Sequence, residues 1–246
     1  MTEYRLLPAG DTALTVEFGD RIDRQLSSLV LALARCLTEA KIAGVVECVP
    51  TFRSLTVYYD PLLLPCSALS ARIAKLVQGL RATEAAGRHW RLPVCYDESV
   101  APDLGDVAAR TNLTPAQVIE RHSAPIYHVY MLGFLPGQPY MGDVANELAL
   151  PRRPSPRMKI PAGSVGIAMR MTCIFPSETP CGWQLIGRCP LPLWDLRASG
   201  STPLLAPGDK VGFSPVSLRE YDSLLAKAAD GRLAVTPCDG IGEAAA

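Results

Sequence analysis

The chain is poor in histidine. Only His89, His122 and His128 occur among 246 residues, so the first third has none for acid–base work. Its eight cysteines, at 36, 48, 66, 95, 173, 181, 189 and 238, form no CxxC pair and have no histidine at ligand spacing. That removes the usual zinc signature. Cys173, Cys181 and Cys189 recur every eight residues, a rhythm that could hint at a metal. The plainer reading is free thiols acting as small hydrophobes in a reducing compartment, with no metal. Net charge is lacking too, with 24 Lys plus Arg against 24 Asp plus Glu. No global field draws the protein to nucleic acid or to a membrane surface. No uninterrupted apolar run approaches the ~20 residues of a spanning helix. The opening MTEYRLLPAGDTAL carries Glu3, Arg5 and Asp11 where a secretion signal would be apolar. The expectation is a soluble cytoplasmic protein. A glycine-rich nucleotide fingerprint is absent. Ser164, in PAGSVG, lacks a G-x-S-x-G frame and an obvious Asp/His partner, which excludes a serine-hydrolase triad.

Hydrophobic residues make up 48% of the chain, enough for a substantial core. TALTVEF (12–18) alternates as a strand. Ile22, Leu26, Leu29, Val30, Leu33 and Leu37 then fall at helical spacing behind an Asp20 N-cap. VVECV (45–49) and SLTVYY (54–59) read as strands, and Ala68 to Leu80 as a second helix. The order β-α-β-β-α points to a two-layer α+β unit of ferredoxin-like type over residues 1–85. From residue 86 the pattern changes. After a strand at RLPVCYD come two short helices, the second with Thr114 as N-cap, Pro115 at the first position and Gln117 closing a capping box. YHVYMLGF, SVGIAM, TCIF, GWQLIG, LPLWDL and KVGFSPV follow as short strand-like runs between Gly and Pro, the signature of a β-barrel over 86–232. Residues 233–246 are expected to form a flexible tail.

Charge is uneven inside this second region. No acidic residue stands between Glu147 and Glu178, yet PRRPSPRMK (151–159) holds Arg152, Arg153, Arg157 and Lys159. Three prolines stiffen the run. In an extended backbone Arg153, Arg157 and Lys159 share a face and Arg152 takes the other. The strip reads either as an anion site or docking surface, or as a solvated basic loop. MLGFLPGQPYMG (131–142) is too broken for a helix and too apolar for an ordinary loop. Gly133 and Gly137 let it turn, Pro136 and Pro139 fix its path, and Phe134, Leu135, Tyr140 and Met141 remain to cover something apolar. It is either a pocket wall or partner interface, or a loop tucked into its own core. His122, near a helix C-terminus that favours imidazolium, is a candidate acid, anion ligand or helix cap. Glu178 is a candidate base, or a turn residue.

As an ordered set, His122, YHVYMLGFLPGQPYMG, PRRPSPR, IPAGSVGIA, CGWQLIGRCP and APGDKVGF resemble the bacterial family once labelled allophanate hydrolase subunit 1. That family includes the B-type subunit of ATP-dependent 5-oxoprolinase and an inhibitor of a sporulation histidine kinase. The resemblance covers most of the chain. It implies a ferredoxin-like domain followed by a cyclophilin-like barrel, α+β overall. It implies a subunit that opens 5-oxoproline to L-glutamate with ATP hydrolysis and is inactive alone. The partners would be a second carboxyltransferase-like subunit, of the 5-oxoprolinase C type, and the A-type subunit. ATP would be used by the complex. The alternatives are a kinase-inhibiting binding protein and a carboxyltransferase-like subunit for urea or another amide. The candidate site is then His122 and Glu178 as catalytic groups, with Phe134, Pro136, Gly137, Arg153, Arg157, Lys159, Ser164 and Trp183 binding substrate. Two positions depart from the family pattern. Gln138 stands where an aromatic is usual, and Cys181 where the Trp is usually preceded by two glycines. If that loop needs a glycine-like backbone, Cys181 carries strain.

Overall fold

The computed structural model describes residues 3–82, 87–194, 201–230 and 236–238. The chain divides into two compact units, Met1–Ala86 and Gly87–Ala246.

The first unit contains β1 (Arg5–Pro8), β2 (Ala13–Glu17), α1 (Arg24–Ala40), β3 (Val45–Pro50), β4 (Ser54–Tyr59) and α2 (Cys66–Gln78). Its sheet runs β1-β2-β4-β3, with every neighbour antiparallel. Because β2 and β3 both oppose β4, they run parallel to each other, with α1 as their crossover. The alternation seen in the sequence puts Leu14, Val16, Leu55 and Val57 into the core against Val30, Leu33, Leu37, Leu69 and Ile73 of the helices. Two details differ from the sequence reading. The cap of α1 is Asp23, whose carboxylate accepts from the amides of Gln25 (2.8 Å) and Leu26 (3.1 Å). Ile22 therefore lies outside the helix and is exposed. The extra strand β1 takes the sheet edge. RLLP is short and does not alternate, so nothing in its pattern announces a strand.

The second unit contains β5 (His89–Cys95), α3 (Leu104–Thr111), α4 (Pro115–Ser123), β6 (Tyr127–Leu132), β7 (Pro139–Gly142), β8 (Arg157–Ile160), β9 (Ser164–Ala168), β10 (Met171–Ile174), β11 (Thr179–Cys181), β12 (Gln184–Arg188), β13 (Lys210–Val216) and α5 (Leu218–Ala229). Seven strands close a barrel in the order β10-β7-β6-β13-β5-β12-β9. The first and last of them in sequence, β5 and β13, pair in parallel along seven residues. A separate two-stranded ribbon joins β8 and β11. The barrel is filled by Leu92, Val94, Tyr127, Val129, Val165, Ile167, Ile186, Val211 and Phe213. The capping box of α4 forms as the sequence implies: Thr114 Oγ1 accepts from Gln117 N, and Gln117 Oε1 accepts from Thr114 N. LPLWDL does not form a strand over its described residues, 191–194. Pro190 and Pro192 remove alternate amide donors, so a ladder cannot be built there. Most of the expected tail lies outside the described residues. Cys238 falls within that span and bridges to His89, donating its amide to His89 O at 2.7 Å. No helix among the described residues is long and apolar enough to cross a membrane.

His122 belongs to this core, in correction of its reading as an acid at a helix end. It is fully buried and stacks on Phe213, with centroids 4.9 Å apart and planes 12° apart. Its Nε2 lies 2.9 Å from Thr172 Oγ1 and its Nδ1 2.8 Å from the Tyr96 hydroxyl. Thr172 gives its own proton to Gly166 O, so Nε2–H donates to Thr172 and Nδ1 accepts from Tyr96. Burial removes the hydration an imidazolium needs and holds the pKa at about 3, against an ordinary value of 6.5. In the unfolded chain the ring takes a proton near its ordinary pKa; in the fold it does not until about pH 3. Its contribution to stability is complete above the ordinary pKa and declines as pH falls toward the folded one. The slope is about 1.4 kcal/mol per pH unit. Urea denaturation of the wild type and His122→Gln between about pH 7.5 and 4.5 checks this. The variant should be less stable at neutral pH and flatter across the range by that one-proton slope. Parallel curves would contradict the buried neutral ring.

Candidate functional site

The arginine-rich strip is held edge-on to the loop that carries Trp183. Arg153 N donates to Gly182 O at 2.7 Å, Gln184 Nε2 donates to Pro151 O at 3.0 Å, and Arg157 pairs with Cys181 across the β8–β11 ribbon. The prolines leave few amides in this run, so these few bonds fix its path.

Two of the strip's cations converge on one carboxylate, and it belongs to the chain itself. Asp103 is buried at the start of α3. Its oxygens accept from Arg153 Nη1 at 2.8 Å, from Arg157 Nη1 and Nη2 at 2.8 and 2.7 Å, and from Leu185 N at 2.7 Å. Asp103 N returns a bond to Leu185 O at 2.9 Å. The carboxylate gives no side-chain cap to α3 because these donors occupy it. The Arg157 pKa is raised, first by its hydrogen bonds to Asp103. Arg153 and Arg157 thus share a face as parity requires, but an internal anion meets them. Lys159 does not join them. It pairs with Glu178 at 2.8 Å on an exposed rim, so the expected base and the expected anion ligand neutralise each other.

Arg152, assigned by parity to the opposite face, is the cation that stays open. Its guanidinium lies 6.0 Å from the centroid of the Trp183 ring and has no ion-pair partner among the described residues. Tyr140 and Phe175 meet Trp183 edge-on at 6.0 and 6.2 Å. Ile160, Cys173, Cys181 and Leu185 complete this apolar cluster. Burial raises the Cys181 and Tyr140 pKa values, while Arg152 acts the other way on both. Cys181 is not strained. Positive φ among described non-glycine residues is confined to Lys41, Asn112, Phe134 and Met169. Cys181 lies extended in β11, and its Sγ accepts from Trp183 N at 3.2 Å. The thiol packs where a glycine would leave a gap.

The loop 133–138 closes the β6–β7 hairpin through Gly133 N to Gln138 O and Gln138 N to Leu135 O, both 3.1 Å. Gly137 has φ +74° and packs on Trp194, where an added Cβ would come within 3.1 Å of Trp194 Cβ. Tyr140 and Met141 turn inward, while Phe134 and Pro136 form an exposed apolar tip. Ser164 is buried, and its hydroxyl donates to Pro161 O at 2.7 Å, which commits it to the PAG turn. Among the described residues no group of three His, Cys, Asp or Glu side chains could hold a metal. A separate apolar cleft of about 460 Å³, bordered by Gly163, Cys189, Trp194 and Leu225, contains none of the expected site residues.

Sequence reasoning therefore missed Asp103, Arg152, Tyr140 and Gln184. Arg152 and Tyr140 stood inside quoted motifs. Asp103 carried no signal beyond a short helix start, because its partners lie 50 and 54 positions away.

Removing one guanidinium from a buried carboxylate leaves charge uncompensated. Arg157→Ala should cost about 3 kcal/mol of stability. Arg152→Ala, which loses an exposed cation–π contact, should cost under about 1 kcal/mol. Chemical denaturation of the two variants measures this, and equal losses would contradict the different roles.

The profile of the carboxyltransferase domain, subdomain C and D, matches residues 4–204. The B-type subunit of the Bacillus subtilis 5-oxoprolinase is 39% identical over 232 residues, covering 89% of this chain and 95% of the relative. The crystal structure of TTHA0988 superposes with a TM-score of 0.74 at 35% identity over 83% of this chain, which spans 40% of that longer one. The K. lactis urea amidolyase shares the fold, with a TM-score of 0.79 at 20% identity over 95% of this chain and 16% of its own. With the profile running through both units and a relative aligned along nearly its whole length, the chain belongs to the carboxyltransferase domain, subdomain C and D, family.

Proposed function

We propose that this chain is the B-type subunit of a 5-oxoprolinase, acting within a complex that opens 5-oxoproline to L-glutamate at the expense of ATP. Alignment with the B-type subunit of the Bacillus subtilis 5-oxoprolinase along nearly its whole length carries this reading. The site geometry fits it. Two guanidiniums share one carboxylate and Arg152 has no anion beside it, so net positive charge remains for a small carboxylate substrate. Trp183 and Tyr140 offer an apolar wall for a five-membered ring.

A lactam is a poor electrophile. Phosphoryl transfer from ATP to its carbonyl oxygen, with release of ADP, makes the carbon electrophilic; water then forms the new C–O bond, the C–N bond breaks as the nitrogen takes a proton, and a second water splits the resulting acyl phosphate into glutamate and phosphate. The residues of this chain do not fit a nucleotide. The sequence has no glycine-rich phosphate cradle, and Arg157 and Lys159 are already paired with Asp103 and Glu178. The nucleotide therefore falls to a partner in the complex, and this chain's part is to hold substrate. The exposed tip at Phe134 and Pro136 is the face assigned to a second carboxyltransferase-like subunit. The longer TTHA0988 chain supports a companion, since its matching region is joined to further polypeptide. A reducing cytoplasm suits the eight free thiols.

Co-expression with the second carboxyltransferase-like subunit and the A-type subunit, followed by assay of ATP-dependent glutamate release, tests the proposal. The complex should turn over and the isolated chain should not. Arg152→Ala in the complex should lower kcat/KM at least tenfold, about 1.4 kcal/mol of transition-state stabilisation. Full turnover by the isolated chain would overturn the proposed division of labour.

A further inference from the structure

The direction of the Arg152 side chain is set by the residues on either side of it. Pro151 O accepts from Gln184 Nε2 at 3.0 Å, and Arg153 N donates to Gly182 O at 2.7 Å. Each bond fixes one of the two peptide planes that meet at the Arg152 Cα. Two fixed planes leave the Cα–Cβ bond a single direction. Sequence narrows the freedom further. The ring of Pro151 sets its own φ, and Pro154 confines Arg153 to extended backbone. The same two bonds set a register. Pro151 meets Gln184 and Arg153 meets Gly182, so Arg152 stands opposite Trp183. Residues directly opposite in an antiparallel pair show their side chains on one face. The guanidinium is accordingly over the indole, 6.0 Å from its centroid, and a Cβ added at Gly182 would meet Arg152 Cβ at 4.0 Å.

Gln184 itself takes no part in the open face. It follows Trp183 in an extended chain and so points the other way, and it is wholly buried. Its Oε1 meets no donor among the described residues, so glutamine is a poor filler for that place. What it supplies is the N–H on Pro151 O. We infer that Gln184 is the positioning residue for Arg152: by holding Pro151 O it fixes where a substrate carboxylate is received, without touching it. The inference rests on the 5-oxoprolinase reading and deepens it by naming what gives the carboxylate its place. A methionine, similar in length, would fill the same space and leave Pro151 O unheld. Arg152 would then keep its charge and lose its direction. Binding of ground state and transition state weakens alike, which raises KM and leaves kcat.

The test is a double-mutant cycle in the assembled complex, read as KM and kcat for 5-oxoproline. With Arg152 present, Gln184→Met should raise KM about fivefold or more and leave kcat within about twofold. In an Arg152→Ala background the same change should move KM by less than about twofold, since no guanidinium is left to aim. A merely structural glutamine would cost the same in both backgrounds, and that result overturns the inference. An unchanged KM in Gln184→Met overturns it as well. If that variant fails to assemble, Pro151→Gly reads the same backbone from an exposed position, keeping the carbonyl and losing the ring that fixes φ. Its effect on KM should again require Arg152; an effect that is absent, or equal in both backgrounds, overturns the inference. Absence of turnover by the wild-type complex removes the parent reading and this one together, whereas turnover with additive variants removes this one alone.

Discussion

The Asp103 carboxylate draws together parts of the barrel unit that are far apart in sequence. It receives two guanidiniums from the strip after β7 and an amide from β12, and it stands at the head of α3. Without that charge the strip would hold two inward-facing cations with nothing opposite. With it, the strip lies along the Trp183 loop, and the loop presents its aromatic face to Arg152. A buried charge of this kind is weak evidence for stability in itself, since desolvation offsets much of the attraction. Its effect is geometric: it fixes where the remaining positive charge can be.

The site thus combines a closed electrostatic part and an open one. Arg157 takes the carboxylate in a two-pronged grip, and Arg153 shares it through a single nitrogen. Arg152 has an aromatic ring beneath it instead of an anion. Three chemically identical side chains within six positions therefore serve three purposes. The difference lies in what each meets, which composition and spacing do not encode.

That contrast explains what could be read from the sequence. The change from helical to alternating periodicity, the capping box at Thr114 and the short strands between glycines and prolines are local signals, and they correspond to structure. The quoted motifs also brought Trp183 and the arginines into one list, and the structure brings them into one region. Parity grouped Arg153 with Arg157 correctly but extended the strand too far back, for β8 begins only at Arg157. That error assigned Arg152 away from the site; Lys159 lies within β8, and Glu178 meets it instead of Asp103. His122 misled for a related reason. Its position near a helix end argues for a proton, but Phe213, from the last barrel strand, shields it from water. Helix α5 is absent from the sequence reading although its signals are local: Leu218, Tyr221, Leu224 and Leu225 fall at helical spacing behind Ser217, whose hydroxyl accepts from Glu220 N.

The parallel pairing of β5 with β13 has a consequence for how the molecule is made. Asp209, just before β13, hydrogen-bonds the backbone of Arg88 across 121 positions and receives the Trp90 indole N–H as well. On the ribosome β5 emerges early and must wait for nearly the whole unit before its permanent neighbour exists. At ordinary elongation rates of roughly 5–20 residues per second, the stretch from Cys95 to Lys210 takes about 6–23 seconds. Throughout it, one edge of an apolar strand holding Leu92 and Val94 lacks the neighbour that will cover it. Closure is a late, long-range event with a high entropic cost of loop formation. Nascent chains of this family should therefore draw on chaperones during synthesis more than their modest size would suggest.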